Sequence, residues 1–184
     1  MITMTRLKAI IPILAAALLV LPRPSSAQYR DLSLSAGIGI GDFNNCFVAG
    51  LALSKPVASS IQSEVELIYY RMPADRSTVF GLAITSTAVD LNLSVLFQTL
   101  PEDRKFIPYA VITAGIMFES ETYKYSLLKT KEGSSYLKAD LGVGAGAKIL
   151  LGPRSGMRVD IRWLRVLGKN VQVPRFTLGY FYRY

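Results

Sequence analysis

From Leu32 onward, apolar side chains recur at every second position in short runs broken by turn-forming residues, which is the period of strands and not of helices. Eight runs can be marked. Leu32, Leu34, Ala36, Ile38 and Ile40 alternate with serine and glycine in the first, and Phe47, Ala49, Leu51 and Leu53 share a face in the second. The third sets Ile61, Val65, Leu67 and Tyr69 against Gln62, Glu64 and Glu66, and the fourth sets Val89, Leu91, Leu93, Val95 and Phe97 against Asp90, Asn92 and Ser94. Ala110, Ile112, Ala114, Ile116 and Phe118 form the fifth. The sixth is the longest, with Leu137, Ala139, Leu141, Val143, Ala145, Ala147, Ile149 and Leu151 alternating with Lys138, Asp140, Lys148 and three glycines. The seventh pairs Val159, Ile161 and Trp163 with Arg158, Asp160 and Arg162, and the eighth is the stretch TLGYFYRY from Thr177 to Tyr184.

Alternation of this kind fits two closed architectures. A soluble lipocalin-like barrel turns its apolar set inward, whereas a membrane barrel turns it to lipid and keeps a polar lumen. Three features favour the membrane form. Most runs are about as long as the 9–11 residues that a tilted strand needs to cross the hydrocarbon layer. Glycines crowd the polar face of the sixth run, as a tightly curved interior requires. Aromatic residues (Tyr69, Phe97, Phe118, Phe176, Tyr182 and Tyr184) stand near run ends on the apolar face, where interfacial girdles belong. The connections agree. The turns 55–60, 98–107 and 152–156 lie on one side, and the two longest, 72–85 and 119–136, lie on the other. The expected fold is an all-β, eight-stranded antiparallel up-and-down transmembrane barrel. Pro108 and Pro174 are expected where strands begin, since a missing N–H is tolerated there.

The segment ahead of the first run has a different character. Arg6 and Lys8 precede the apolar stretch 9–21, and Ser25, Ser26 and Ala27 follow it, the arrangement of a secretory signal peptide. Residues 1–27 are thus expected to be removed and residues 28–184 to form the barrel. The net charge of +8 then falls to +5, because the leader holds three basic residues and no acidic one. An exported barrel with this modest charge is not expected to meet nucleic acid.

Candidate chemistry is sparse. The chain has no histidine and one cysteine, Cys46, expected at the tip of the first external loop. Without an imidazole there is neither a Ser-His-Asp arrangement nor a His-based zinc site, and a lone thiol forms no internal disulfide. No enzyme activity, cofactor or metal is expected. On the polar face, Glu64, Glu66, Asp90, Asp140 and Asp160 balance Lys138, Lys148, Arg158, Arg162 and Arg183, five against five. They are expected to interlock inside the narrow lumen of an eight-stranded barrel and plug it. The same residues held apart by water would leave a small passive, porin-like channel. A basic rim of Arg71, Arg76, Arg165, Lys169 and Arg175 is expected to meet lipopolysaccharide phosphates. Within 119–136, Tyr123, Tyr125 and Leu127 alternate with Thr122, Lys124 and Ser126 ahead of an expected turn at Glu132 and Gly133. Strands five and six would then continue above the membrane as a hairpin whose edge offers a surface partner a place to pair.

Over essentially all of residues 28–184, the chain resembles the small eight-stranded outer-membrane β-barrel family, the OmpA/OmpX-like group of Gram-negative envelopes. The end of the chain carries the most specific likeness. In that family the barrel-assembly machinery reads a terminal pattern of a polar residue, a glycine and two aromatic or apolar residues at fixed spacing, and Thr177, Gly179, Tyr182 and Tyr184 match it. Pro108-Tyr109 leading into Thr113-Ala114-Gly115, and the stretch from Gly142 to Gly146, are similar to the group's middle strands. The resemblance implies an outer-membrane location with both mature termini in the periplasm, contact with lipid and lipopolysaccharide, and a monomer with a structural or surface-interaction role.

Overall fold

The computed structural model describes residues 30–40, 45–72, 75–77, 82–99, 105–125, 130–168 and 171–184, and the expected signal peptide 1–27 lies outside them. The described residues contain strands and turns and no helix. In chain order the strands are β1 (Asp31–Gly39), β2 (Cys46–Ala58), β3 (Ile61–Arg71), β4 (Asp75–Ser77), β5 (Leu82–Gln98), β6 (Phe106–Tyr125), β7 (Thr130–Leu150), β8 (Ser155–Val166) and β9 (Val171–Arg183). Each pairs antiparallel with the next, except that both β3 and β4 pair with β5. β4 therefore continues β3 on one stave, and the wall has eight staves. Pairing of β1 with β9, from Asp31 opposite Arg183 to Gly39 opposite Arg175, closes the ring. The fold is an eight-stranded closed antiparallel β-barrel.

The register sets its tilt. Starting at Arg183 on β9 and stepping from partner to partner through Asp31, Ser54, Glu64, Ser94, Thr113, Gly142 and Leu164, one circuit returns to β9 at Val173, displaced by ten residues. With ~3.3 Å per residue and ~4.8 Å between strands, that shear tilts the staves by about 40° and leaves an interior that side chains alone can fill.

Burial follows the alternation. The apolar set of every run faces outward: Leu34, Leu93, Ile112, Leu141, Val143 and Ile161 are each more than half exposed on the isolated chain. Aromatic residues flank this band, with Phe97, Phe106, Tyr180, Tyr182 and Tyr184 toward the end that carries the termini and Phe47, Tyr69, Phe118 and Trp163 toward the other. Water would penalise so large an apolar exterior, and lipid favours it. The soluble alternative places the same residues inside and is ruled out by this burial pattern.

β6 ends at Tyr125 and β7 starts at Thr130, which face one another, so strands five and six continue as the hairpin expected within 119–136. Three details differ from expectation. Gly133 is not in a turn but pairs with Thr122, and residues 126–129 lie outside the described residues. Cys46 opens β2 and is buried, because the alternation of β2 begins one residue before its first outward side chain, Phe47. Pro108 and Pro174 lie a few residues inside β6 and β9.

Candidate functional site: the lumen and the protruding sheet

The inward face of each strand supplies the lumen. Glu64 on β3 is its hub. Its Oε1 accepts hydrogen bonds from Arg158 Nη2 at 2.9 Å and Arg162 Nη2 at 2.8 Å. Its Oε2 accepts from Ser54 Oγ at 2.7 Å and also from Arg158 Nη1. Asp160 lies between the two arginines on β8 and accepts from Arg158 Nη2 and Arg162 Nε, both at 2.9 Å. Tyr109 on β6 donates to Asp160 Oδ2 at 2.7 Å and accepts from Arg158 Nε at 2.8 Å. Glu66 extends the array to β9, with Arg162 Nη1 at 3.0 Å and Arg175 Nη2 at 2.9 Å from its Oε2. One connected set of charge-assisted bonds thus spans β2, β3, β6, β8 and β9. Such pairs are stable in a dry interior only when geometry and hydrogen bonding are nearly complete.

Two further groups lie at the ends. Nearer the termini, Lys148 Nζ donates to Asp31 Oδ2 at 2.6 Å and Gln62 Oε1 at 2.8 Å, and Arg183 Nε donates to Asp31 Oδ1 at 3.0 Å. At the far end a buried apolar cluster that includes Cys46, Val48, Tyr70, Met72, Leu164, Val166 and Val173 packs the lumen, with the Lys138–Glu119 pair on the same side. The charged network is therefore covered on that side by packed side chains.

All ten residues expected to line the lumen face inward. Their pairing is not five against five. Among the described residues Asp31 and Glu119 join as acids and Arg175 as a base, giving seven buried carboxylates and six cations, the cations being Lys138, Lys148, Arg158, Arg162, Arg175 and Arg183. Arg175 corrects an expectation. Placed by sequence on the outer rim, it is 1% exposed inside the barrel, because it shares the parity of Thr177 and Gly179 and faces Glu66. Glu119, assigned to a loop, pairs with Lys138. Extending each run's parity a residue or two past its ends would have found Asp31, Tyr109, Glu119 and Arg175. Of the remaining rim residues, Arg71 and Arg165 are exposed, and the side chain of Arg76 and the whole of Lys169 lie outside the described residues. In β9, Thr177 is buried and Gly179 lies against β1, while Tyr182 and, one residue past the strand, Tyr184 are exposed.

The second feature is a difference in strand length. β7 pairs with β8 only from Asp140 onward, and beyond that Leu167 N donates to Ala139 O. Thr130–Lys138 thus has β6 on one side and no strand partner on the other among the described residues. Together with the upper parts of β5 and β6 and with β4, it forms a sheet that rises above the rest of the wall. On its outer face the row Val89, Phe118, Leu137 is apolar, and the next row, Thr87, Ser120, Ser135, is polar. That step marks where the hydrocarbon zone ends on these strands.

No group of three or more His, Cys, Asp or Glu side chains among the described residues is arranged to hold a metal ion. No family model and no curated protein matches the sequence. Solved structures do match the fold. A major outer membrane protein of Thermus thermophilus is 15% identical with a TM-score of 0.69, over 86% of this chain and 100% of its own. Neisserial surface protein A is 12% identical with a TM-score of 0.62, over 88% and 100%. The attachment invasion locus protein of Yersinia pestis, Ail, is 14% identical with a TM-score of 0.57, over 85% and 97%. At these identities the likeness is one of fold.

Proposed function

We propose that the protein is a non-enzymatic integral barrel of the bacterial outer membrane that presents its protruding β4–β7 sheet to partners outside the cell. The observation that carries this reading is the unequal height of the wall: β6 and β7 continue past the apolar row at Val89, Phe118 and Leu137, and the far edge of β7 over 130–138 has no strand beside it among the described residues. An open edge offers main-chain donors and acceptors to an added strand. The filled lumen supports a scaffold role and opposes the channel reading, because the arginine–carboxylate array occupies the path that ions would take. In this orientation both ends of the mature barrel lie in the periplasm and the long hairpin outside. Arg71 and Arg165 then face the lipopolysaccharide layer, whose phosphates suit guanidinium groups. The chain would act as a monomer in the OmpA/OmpX-like manner. The printed names of two proteins of this fold, a Neisserial surface protein and an attachment invasion locus protein, accord with a surface role.

The test replaces residues 121–134 with a two-residue turn. The shortened barrel should insert and keep the heat-dependent gel mobility of a closed barrel, and cells carrying it should lose the attachment to host-cell or matrix surfaces that the full chain confers. Equal attachment by the full and shortened proteins would overturn the surface reading.

A further inference from the structure

Across four strands the register lines up Glu66, Asn92, Gly115 and Asp140, all facing the lumen. A Cβ built on Gly115 would lie 2.9 Å from Asp140 Oδ1 and closer still to Asn92 Oδ1. The missing side chain on β6 therefore lets the polar groups of β5 and β7 meet. Asp90, the next inward residue of β5, joins them, its Oδ2 accepting from Asn92 Nδ2 at 2.7 Å. Asn92 Oδ1 also accepts from Thr113 Oγ1 at 3.1 Å, which leaves it a second lone pair.

The two carboxylates differ from the other five. Asp90 is 0% and Asp140 1% exposed, yet Asp90 Oδ1 and both Asp140 oxygens have no hydrogen-bond partner. Asp31, Glu64, Glu66, Glu119 and Asp160 each meet a cation within 3.0 Å. Two basic residues that face the lumen make their bonds elsewhere. Lys138 is engaged by Glu119. Arg175 on β9 gives its Nη2 to Glu66 and its Nη1 to Tyr70, and its buried Nε has no partner among the described residues and makes no bond to either carboxylate. Among the described residues the interior is one positive charge short, and the shortage falls where three buried oxygens lack partners.

We propose that Asp90, Asp140 and Asn92 bind one small monovalent cation of the sodium class between their side-chain oxygens. The donors are carboxylate and carboxamide oxygens, a hard set that offers nothing to the softer transition metals. A single charge balances the lumen, where a divalent ion would reverse the imbalance. The site ties β5 to β7 across the glycine of β6, beneath the protruding sheet.

The test uses the whole refolded barrel in detergent. Its unfolding midpoint is followed by heat-dependent gel mobility while sodium chloride replaces N-methylglucamine chloride at constant pH and ionic strength. The wild-type midpoint should rise saturably with sodium, and Asp140→Asn should abolish the response, since the carboxamide removes one charge and donates to Asp90. Asp90→Asn is a second variant with the same expected loss, and sodium-23 relaxation of the wild type reads binding without any variant. A wild-type midpoint indifferent to sodium together with unchanged relaxation overturns the site, as does a sodium response that survives in both variants. A stability that changes with pH but equally in both salts also overturns it, and points to a proton shared between the two carboxylates.

Discussion

At the scale of single residues, one position along a strand separates lipid from a packed interior. Leu141 is 52% exposed on the outer wall and its neighbour Gly142 is buried between Leu164 and Thr113. Leu141→Arg should therefore destabilise the folded barrel by ~2–4 kcal/mol if it sits near the bilayer midplane. Gly142→Leu should be at least as harmful for a different reason. A Cβ there already meets Leu164 Cδ2 at 2.5 Å and Thr113 Cγ2 at 2.8 Å, before any larger side chain is added. Denaturant titration into lipid vesicles measures both, and a Leu141→Arg barrel as stable as wild type would mean that this position does not meet lipid. The faces were legible in the sequence because alternation is a local property. The partners were not: Glu64 is bound by residues 94 and 98 positions away, and only the stagger of the closed ring decides which inward side chains meet.

At the scale of strands, the runs marked their own cores well and their ends poorly. β7 occupies Thr130–Leu150, although its apolar alternation begins only at Leu137. Above that residue the outer face turns to serine and glycine because it leaves the hydrocarbon, so the hydrophobic signal stops where the membrane does and not where the strand does. Arg175 was lost for a related reason, since a basic residue near the start of a run reads as a rim residue unless its parity is counted from inside. Tyr182 on β9 and Tyr184 just past its end are exposed beside β1, and they are the aromatic residues proposed as part of an assembly signal. Tyr184→Ser should lower the amount of barrel in the outer membrane and leave material in the periplasm. Fractionation with a protease-accessibility assay checks this, and normal surface levels would sink the assembly role.

At the scale of the whole molecule, the described part of the lumen holds an apolar cluster at one end and ion pairs through the middle. Planar-bilayer recording of the wild type should show no steady conductance, and replacing Arg158 and Arg162 together by alanine should open a path. Steady current from the wild type would favour a channel. The double variant should also be markedly less stable, since uncovering one partner of a buried pair costs roughly 3–5 kcal/mol. The interior network also bears on how the molecule comes into being. Glu64 belongs to the third strand, while Arg158 and Arg162 belong to the eighth, and Asp31 of the first strand is matched by Lys148 and Arg183 from the seventh and ninth. A hairpin inserted alone would carry these charges into lipid with nothing to neutralise them. Partly built walls are thus heavily penalised, and the barrel is expected to enter the bilayer as a nearly closed body in a single cooperative step, without a ladder of stable intermediates.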